Sequence, residues 1–72
     1  MKSNRTRFTY RKAGLMAYDV ISANGDVVGT VWRSRYGWSG RTASNRLVVE
    51  DYPGSRGVAA GVVNSENTGE QS

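Results

Sequence analysis

The sequence predicts an α+β fold, a three- or four-stranded antiparallel sheet with one short C-terminal helix packed on one face. Three stretches carry that expectation. Leu15 to Ser34 is two runs of β-branched and aromatic residues joined at Asn24-Gly25, a dipeptide suited to the φ > 0 of a type I′ hairpin turn. Trp38 to Thr42 follows a second turn-like segment, Ser34-Arg35-Tyr36-Gly37, and reads as a returning strand. Ser55 then stands where an N-cap would start a helix over Arg56 to Asn64.

Counting outward from an Asn24-Gly25 turn sets Ser22 opposite Val27, Val20 opposite Gly29 and Tyr18 opposite Val31. One face then holds Tyr18, Val20, Val27 and Val31, and the other pairs Ile21 with Val28, Asp19 with Thr30 and Ala17 with Trp32. A longer loop would exchange the faces. Gly29 weakens its strand unless another element comes close, so its place on the Tyr18 face points to a helix crossing there.

Residues 1–12 form a flexible basic arm, 13–64 a single sheet-plus-helix domain, and 65–72 a disordered polar tail without a hydrophobic residue. Within the arm Arg7 to Arg11 alternates, and is either an extra strand or an extended lead-in whose Phe8 and Tyr10 dock on the domain. Leu47 to Tyr52 is a fourth strand or an extended connection, with strand favoured by three consecutive large apolar residues. Pro53-Gly54 ends it. In the helix, Val58, Ala59, Val62 and Val63 are expected on one stripe, while Gly57 and Gly61 each cost about 1 kcal/mol relative to alanine. Such a helix is stable only by packing.

Composition narrows function. At 72 residues without cysteine or histidine, the chain has no disulfide, no thiolate chemistry and none of the usual zinc cages, so no cofactor is expected. No apolar run approaches the ~20 residues of a membrane span. No membrane partner and a cytosolic location are expected. General acid–base work favours histidine or an apposed carboxylate pair, and Glu50 and Asp51 would point to opposite faces of a strand. The chain is expected not to be an enzyme.

Charge is the informative feature. Ten Lys and Arg against six acids give +4, and the cations are clustered. Lys2, Arg5, Arg7, Arg11 and Lys12 have no acid among them, nor do Arg33, Arg35, Arg41 and Arg46. Arginines interleaved with Trp32, Tyr36 and Trp38 across a turn can present guanidinium forks to phosphates while flat rings stack on bases. A two-stranded ribbon also fits the major groove, and basic arms reach into the minor groove. The competing structural reading makes the tryptophans core and the arginines a solubilising rim. Candidate contacts are Arg5, Arg7, Arg11, Lys12, Arg33, Arg35, Tyr36, Trp38, Arg41 and Arg46.

The order strand, strand, strand, helix, with Gly37-Trp38-Ser39-Gly40-Arg41, Leu47-Val48-Val49 and Ser55-Arg56-Gly57-Val58-Ala59-Ala60, resembles the AP2-like DNA-binding domain, also found at the N-terminus of phage-type tyrosine integrases. That resemblance implies an exposed sheet face laid in the major groove, with Arg33, Arg35, Trp38 and Arg41 facing DNA. Small size, high arginine content and the Gly25–Val31 hairpin segment are also similar to small accessory proteins of actinobacterial phages. The leading expectation is a non-enzymatic module for nucleic acid, DNA above RNA and double-stranded above single-stranded. The alternatives are a phage effector that binds a host protein through the same aromatics and arginines, in the host cytoplasm, and a structural protein assembling through an exposed edge such as Leu47 to Tyr52.

Overall fold

The structure, a computed structural model, describes residues 7–71 and the side chains of residues 7–67. Five strands, β1 (Phe8–Gly14), β2 (Ala17–Ser22), β3 (Val27–Ser34), β4 (Gly37–Thr42) and β5 (Leu47–Tyr52), precede one helix, α1 (Arg56–Gln71). The strands form one antiparallel sheet in the order β1-β2-β3-β4-β5, and α1 packs on one face of it, chiefly across β3 and β4. The sheet thus has five strands rather than three or four. The added strand is β1: Phe8 and Tyr10 alternate inward and pair with Ser22 and Val20. Residues 8–12 therefore belong to the folded domain rather than to an arm. Arg5 and residues 1–6 lie outside the described residues.

The central hairpin reaches its expected pairing by a different route. Among the described residues only Gly25 of the turn has positive φ (91°), so the loop is Ala23-Asn24-Gly25 and not a type I′ dipeptide. Ser22 closes it: its N–H donates to the Asp26 carbonyl (2.8 Å) and its carbonyl accepts from Gly25 N–H (2.9 Å). A third loop residue would shift every later pair by one. A bulge prevents that, because Ile21 pairs with Val27 and Val20 with Gly29, leaving Val28 extra. From Val20 onward the faces are those expected. The correction falls on Val27, which is exposed, while the bulge turns Val28 inward.

The core lies between sheet and helix and is built from small side chains: Val20, Val28, Val31, Ala59, Ala60 and Val63 are buried, with Phe8, Tyr10, Tyr18, Trp38, Val48, Val49 and Tyr52 packed around them. Two glycines let α1 come this close. A Cβ on Gly29 would run into the Arg41 carbonyl and a Val63 methyl. One on Gly40 would lie 2.6 Å from the other Val63 methyl. Val63 is therefore seated in a trough made by missing side chains on two paired strands.

Ser55 caps α1 as expected, its Oγ accepting from Val58 N–H (3.3 Å). The buried stripe is Ala59, Ala60, Val63, Asn64 and Asn67, whereas Val58 and Val62 face solvent. That spacing continues past Asn64 without a break, so α1 runs on to Gln71 and the expected disordered tail is helical through that residue. Glu66 helps hold the extension by accepting from Arg46 (2.8 Å). Among the described residues no helix is long and apolar enough to cross a membrane.

Candidate nucleic-acid interface

Alternating strand direction sorts the loops into two ends. One end carries the Leu15-Met16 turn, the Arg35-Tyr36 turn and the Pro53–Ser55 link into the start of α1. The other carries the Ala23–Asp26 and Ala43–Arg46 loops and the distal part of the helix. Side-chain parity then decides which face each strand residue serves.

Four cations collect at the first end. Arg33 shares the helix-side face with Val31 and places its guanidinium carbon 5.8 Å from the ring centre of Trp38, its cross-strand partner. Arg35 lies 5.7 Å from the ring of Tyr36 in the turn. Lys12 Nζ is 5.8 Å from the Tyr18 ring. Arg56, the first residue of α1, stands between two tyrosines, 4.5 Å from Tyr10 and 4.4 Å from Tyr18, with its Nε buried and unpartnered. The rings are themselves in series, Phe8 to Tyr10 (5.8 Å), Tyr10 to Tyr18 (6.0 Å) and Tyr18 to Trp38 (6.4 Å), in edge-on or tilted contacts. Such contacts with ring faces hold cationic groups in place without neutralising them.

Among the described residues Lys12, Arg33, Arg35 and Arg56 make no ion pair. The neighbouring acids are Glu50 and Asp51 on β5, and Asp51 accepts a hydrogen bond from Ser34 Oγ (2.8 Å) on the opposite face. Asp51 stands at φ 54°, where the β4–β5 pairing is irregular. Apolar exposure concentrates here too: Leu15 (86%), Tyr36 (68%), Met16 (52%) and Val58 (51%) are the four most exposed large hydrophobics among the described residues.

The remaining candidates are distributed differently. Arg11 lies on the uncovered face, paired with Asp19 at 3.0 Å, and Asp19 also accepts from Thr30 (3.2 Å). Arg41 is on that face as well, 5.9 Å from the Trp32 ring and donating to the Asn45 carbonyl (3.3 Å). Arg7 and Arg46 sit at the opposite end, Arg7 beside a shallow cleft lined by Phe8, Thr9, Ile21 and Ser22, and Arg46 bound to Glu66. The structure therefore brings together Lys12, Arg33, Arg35, Tyr36 and Trp38. It does not add Arg7, Arg11, Arg41 or Arg46 to them. Arg33 and Trp38 are on the helix side, so the residues the AP2-like resemblance assigns to one exposed face are divided between two.

Arg56, Tyr10 and Tyr18 were not among the sequence candidates. The available signal was Ser55: an N-cap directly after β5 makes Arg56 the first helical residue, at the end where β5 finishes. Comparison with protein families, with curated proteins and with solved structures finds no match to this chain.

Proposed function

We propose that the chain is a small nucleic-acid-binding module, with duplex DNA as its main ligand, and that its contact surface is the end of the sheet bearing the Leu15-Met16 and Arg35-Tyr36 turns. The carrying observation is the group Lys12, Arg33, Arg35 and Arg56, gathered at one end and without ion pairs among the described residues. Three of the four are arginines, whose planar forks match phosphodiester oxygens. The AP2-like resemblance would put the ligand on the uncovered face. The cation distribution favours the end instead, because on that face Arg11 is already neutralised by Asp19.

Binding to random-sequence duplex should fall linearly in log–log form as salt rises, since each neutralised phosphate releases counterions. Arg33→Ala, Arg35→Ala and Lys12→Ala should each lower the salt slope by about 1, and Arg7→Ala should change it less. An affinity independent of salt between low and physiological ionic strength rejects the proposal.

A host-protein partner is the second reading, favoured by Tyr36 and Leu15 standing exposed among arginines. Retention of a stoichiometric partner after nuclease treatment, blocked by Tyr36→Ala, supports it. Assembly through sheet edges has less behind it. Edge β5 is interrupted by irregular pairing with β4, and edge β1 carries Arg11 and Lys12, features that discourage strand addition.

A further inference from the structure

We infer that the Leu15-Met16 turn is an apolar wedge that enters a base step of duplex DNA and bends the duplex, an inference that rests on the nucleic-acid reading above. Gly14 pairs with Ala17, so Leu15 and Met16 alone make the turn between β1 and β2. Such positions favour glycine, asparagine and aspartate. Here they hold a leucine at 86% and a methionine at 52% exposure, and neither has positive φ. Most of the Leu15 side chain and about half of Met16 are therefore left to solvent.

The turn is nevertheless braced. Arg33 N–H donates to the Met16 carbonyl (2.8 Å), which ties the tip of the β1–β2 hairpin to the strand that carries one of the four cations gathered at this end. Lys12 lies just below the tip on β1, held against the Tyr18 ring that also bears Arg56. An apolar projection two residues wide, tied to β3 and set among cations, matches what unstacking requires: phosphate contacts on either side hold the duplex while leucine or methionine replaces a base–base contact. Steps that unstack readily, such as TA and CA/TG, would be preferred through deformability and without base-edge hydrogen bonds. An anionic membrane surface offers the same charge, but the most exposed apolar side chain, Leu15, stands with Met16 on a two-residue tip, the width of a single base step, apart from Tyr36 and Val58 elsewhere at this end.

The test uses the full chain and a short duplex with a fluorophore at each end and 2-aminopurine at a central TA step. Wild-type protein should shorten the end-to-end distance and raise 2-aminopurine emission. The Leu15→Ala/Met16→Ala variant should bind more weakly with the same salt slope and leave the duplex straight. Circular dichroism and an unchanged unfolding midpoint confirm that this variant is folded. Wild-type binding with a straight, stacked duplex overturns the wedge and leaves the nucleic-acid reading in place, as does a variant that bends DNA as well as wild type. Absence of duplex binding overturns both. Phosphatidylglycerol vesicles form the last arm: capture that needs Leu15 and Met16, without DNA bending, assigns the turn to a lipid surface and overturns the wedge.

Discussion

Seating of α1 depends on two absent side chains, and restoring each as alanine tests that dependence in a different way. Adding a Cβ at Gly40 meets side-chain atoms, Val63 Cγ2 at 2.6 Å and Val31 Cγ1 at 3.1 Å. Overpacking of this kind costs about 1–3 kcal/mol, against which the stiffer unfolded chain returns about 0.4–1 kcal/mol. Gly40→Ala should therefore destabilise by about 1–2 kcal/mol. At Gly29 the new Cβ meets the Arg41 backbone carbonyl as well as Val63. A carbonyl inside a β-ladder cannot rotate away without losing pairing, so Gly29→Ala should reach or exceed the top of that ~1–3 kcal/mol range.

Val63→Ala removes both colliding methyls and separates the two cases. Alone it should cost about 2–3 kcal/mol from lost burial and the cavity left behind. Combined with it, Gly40→Ala should become nearly neutral, a coupling of about 1–2 kcal/mol, within the range seen for residues in contact. Gly29→Ala should keep most of its cost, because the carbonyl remains. Urea unfolding followed by tryptophan fluorescence gives each midpoint, and an unchanged m-value confirms that stability alone has moved. Additivity of Gly40→Ala and Val63→Ala within about 0.5 kcal/mol would refute the seating. Full rescue of Gly29→Ala would refute the backbone argument.

The helix stripe makes a second prediction by the same assay: Val58→Ser and Val62→Ser should change stability by no more than about 0.5 kcal/mol, whereas Ala60→Leu should cost about 1–3 kcal/mol or more. Reversal of that order would put the helix in another rotation. The Arg46–Glu66 pair is half exposed on both sides, so Glu66→Gln should cost less than about 1 kcal/mol, and less still in 1 M salt. A salt-independent loss of several kcal/mol would show that the pair is held away from solvent.

What could be read from the chain divides along physical lines. The strand runs, the Ser55 cap and the meaning of Gly29 follow from local chemistry, and each is found in place. Val27 and Val28 could not be assigned locally, since the compensation between a three-residue loop and a bulge is a property of both strands and of the helix that takes up Val28. The stripe on α1 failed for a related reason. Val58 and Val62 are more apolar than Asn64 and Asn67, but the face that can approach the Gly29–Gly40 trough is the one bearing Ala59, Ala60 and Val63, and the asparagines share it. Of the candidate site, the residues flanking the β3–β4 turn were legible as a group because a turn keeps sequence neighbours together. Arg56 was not, because only tertiary packing sets it between Tyr10 and Tyr18.

Strand parity also determines how a ligand could use these cations. Arg33 pairs with Trp38 and Arg41 with Thr30, so the two arginines project from opposite faces, and a flat ligand laid on either face meets one of them. An end of the sheet has no such restriction, because turn residues and the last strand positions of both faces converge there along with the first residue of the helix. Lys12 and Arg33 project from the helix-side face, Arg35 lies in the β3–β4 turn and Arg56 opens α1, so a ligand that meets this end of the sheet reaches all four. For a duplex this means contact through the tips of two turns, with few base edges within reach and phosphates as the main contacts. Under the proposed DNA reading, affinity in that geometry would be dominated by counterion release, and discrimination between sequences would come from how easily the duplex deforms under the Leu15-Met16 tip.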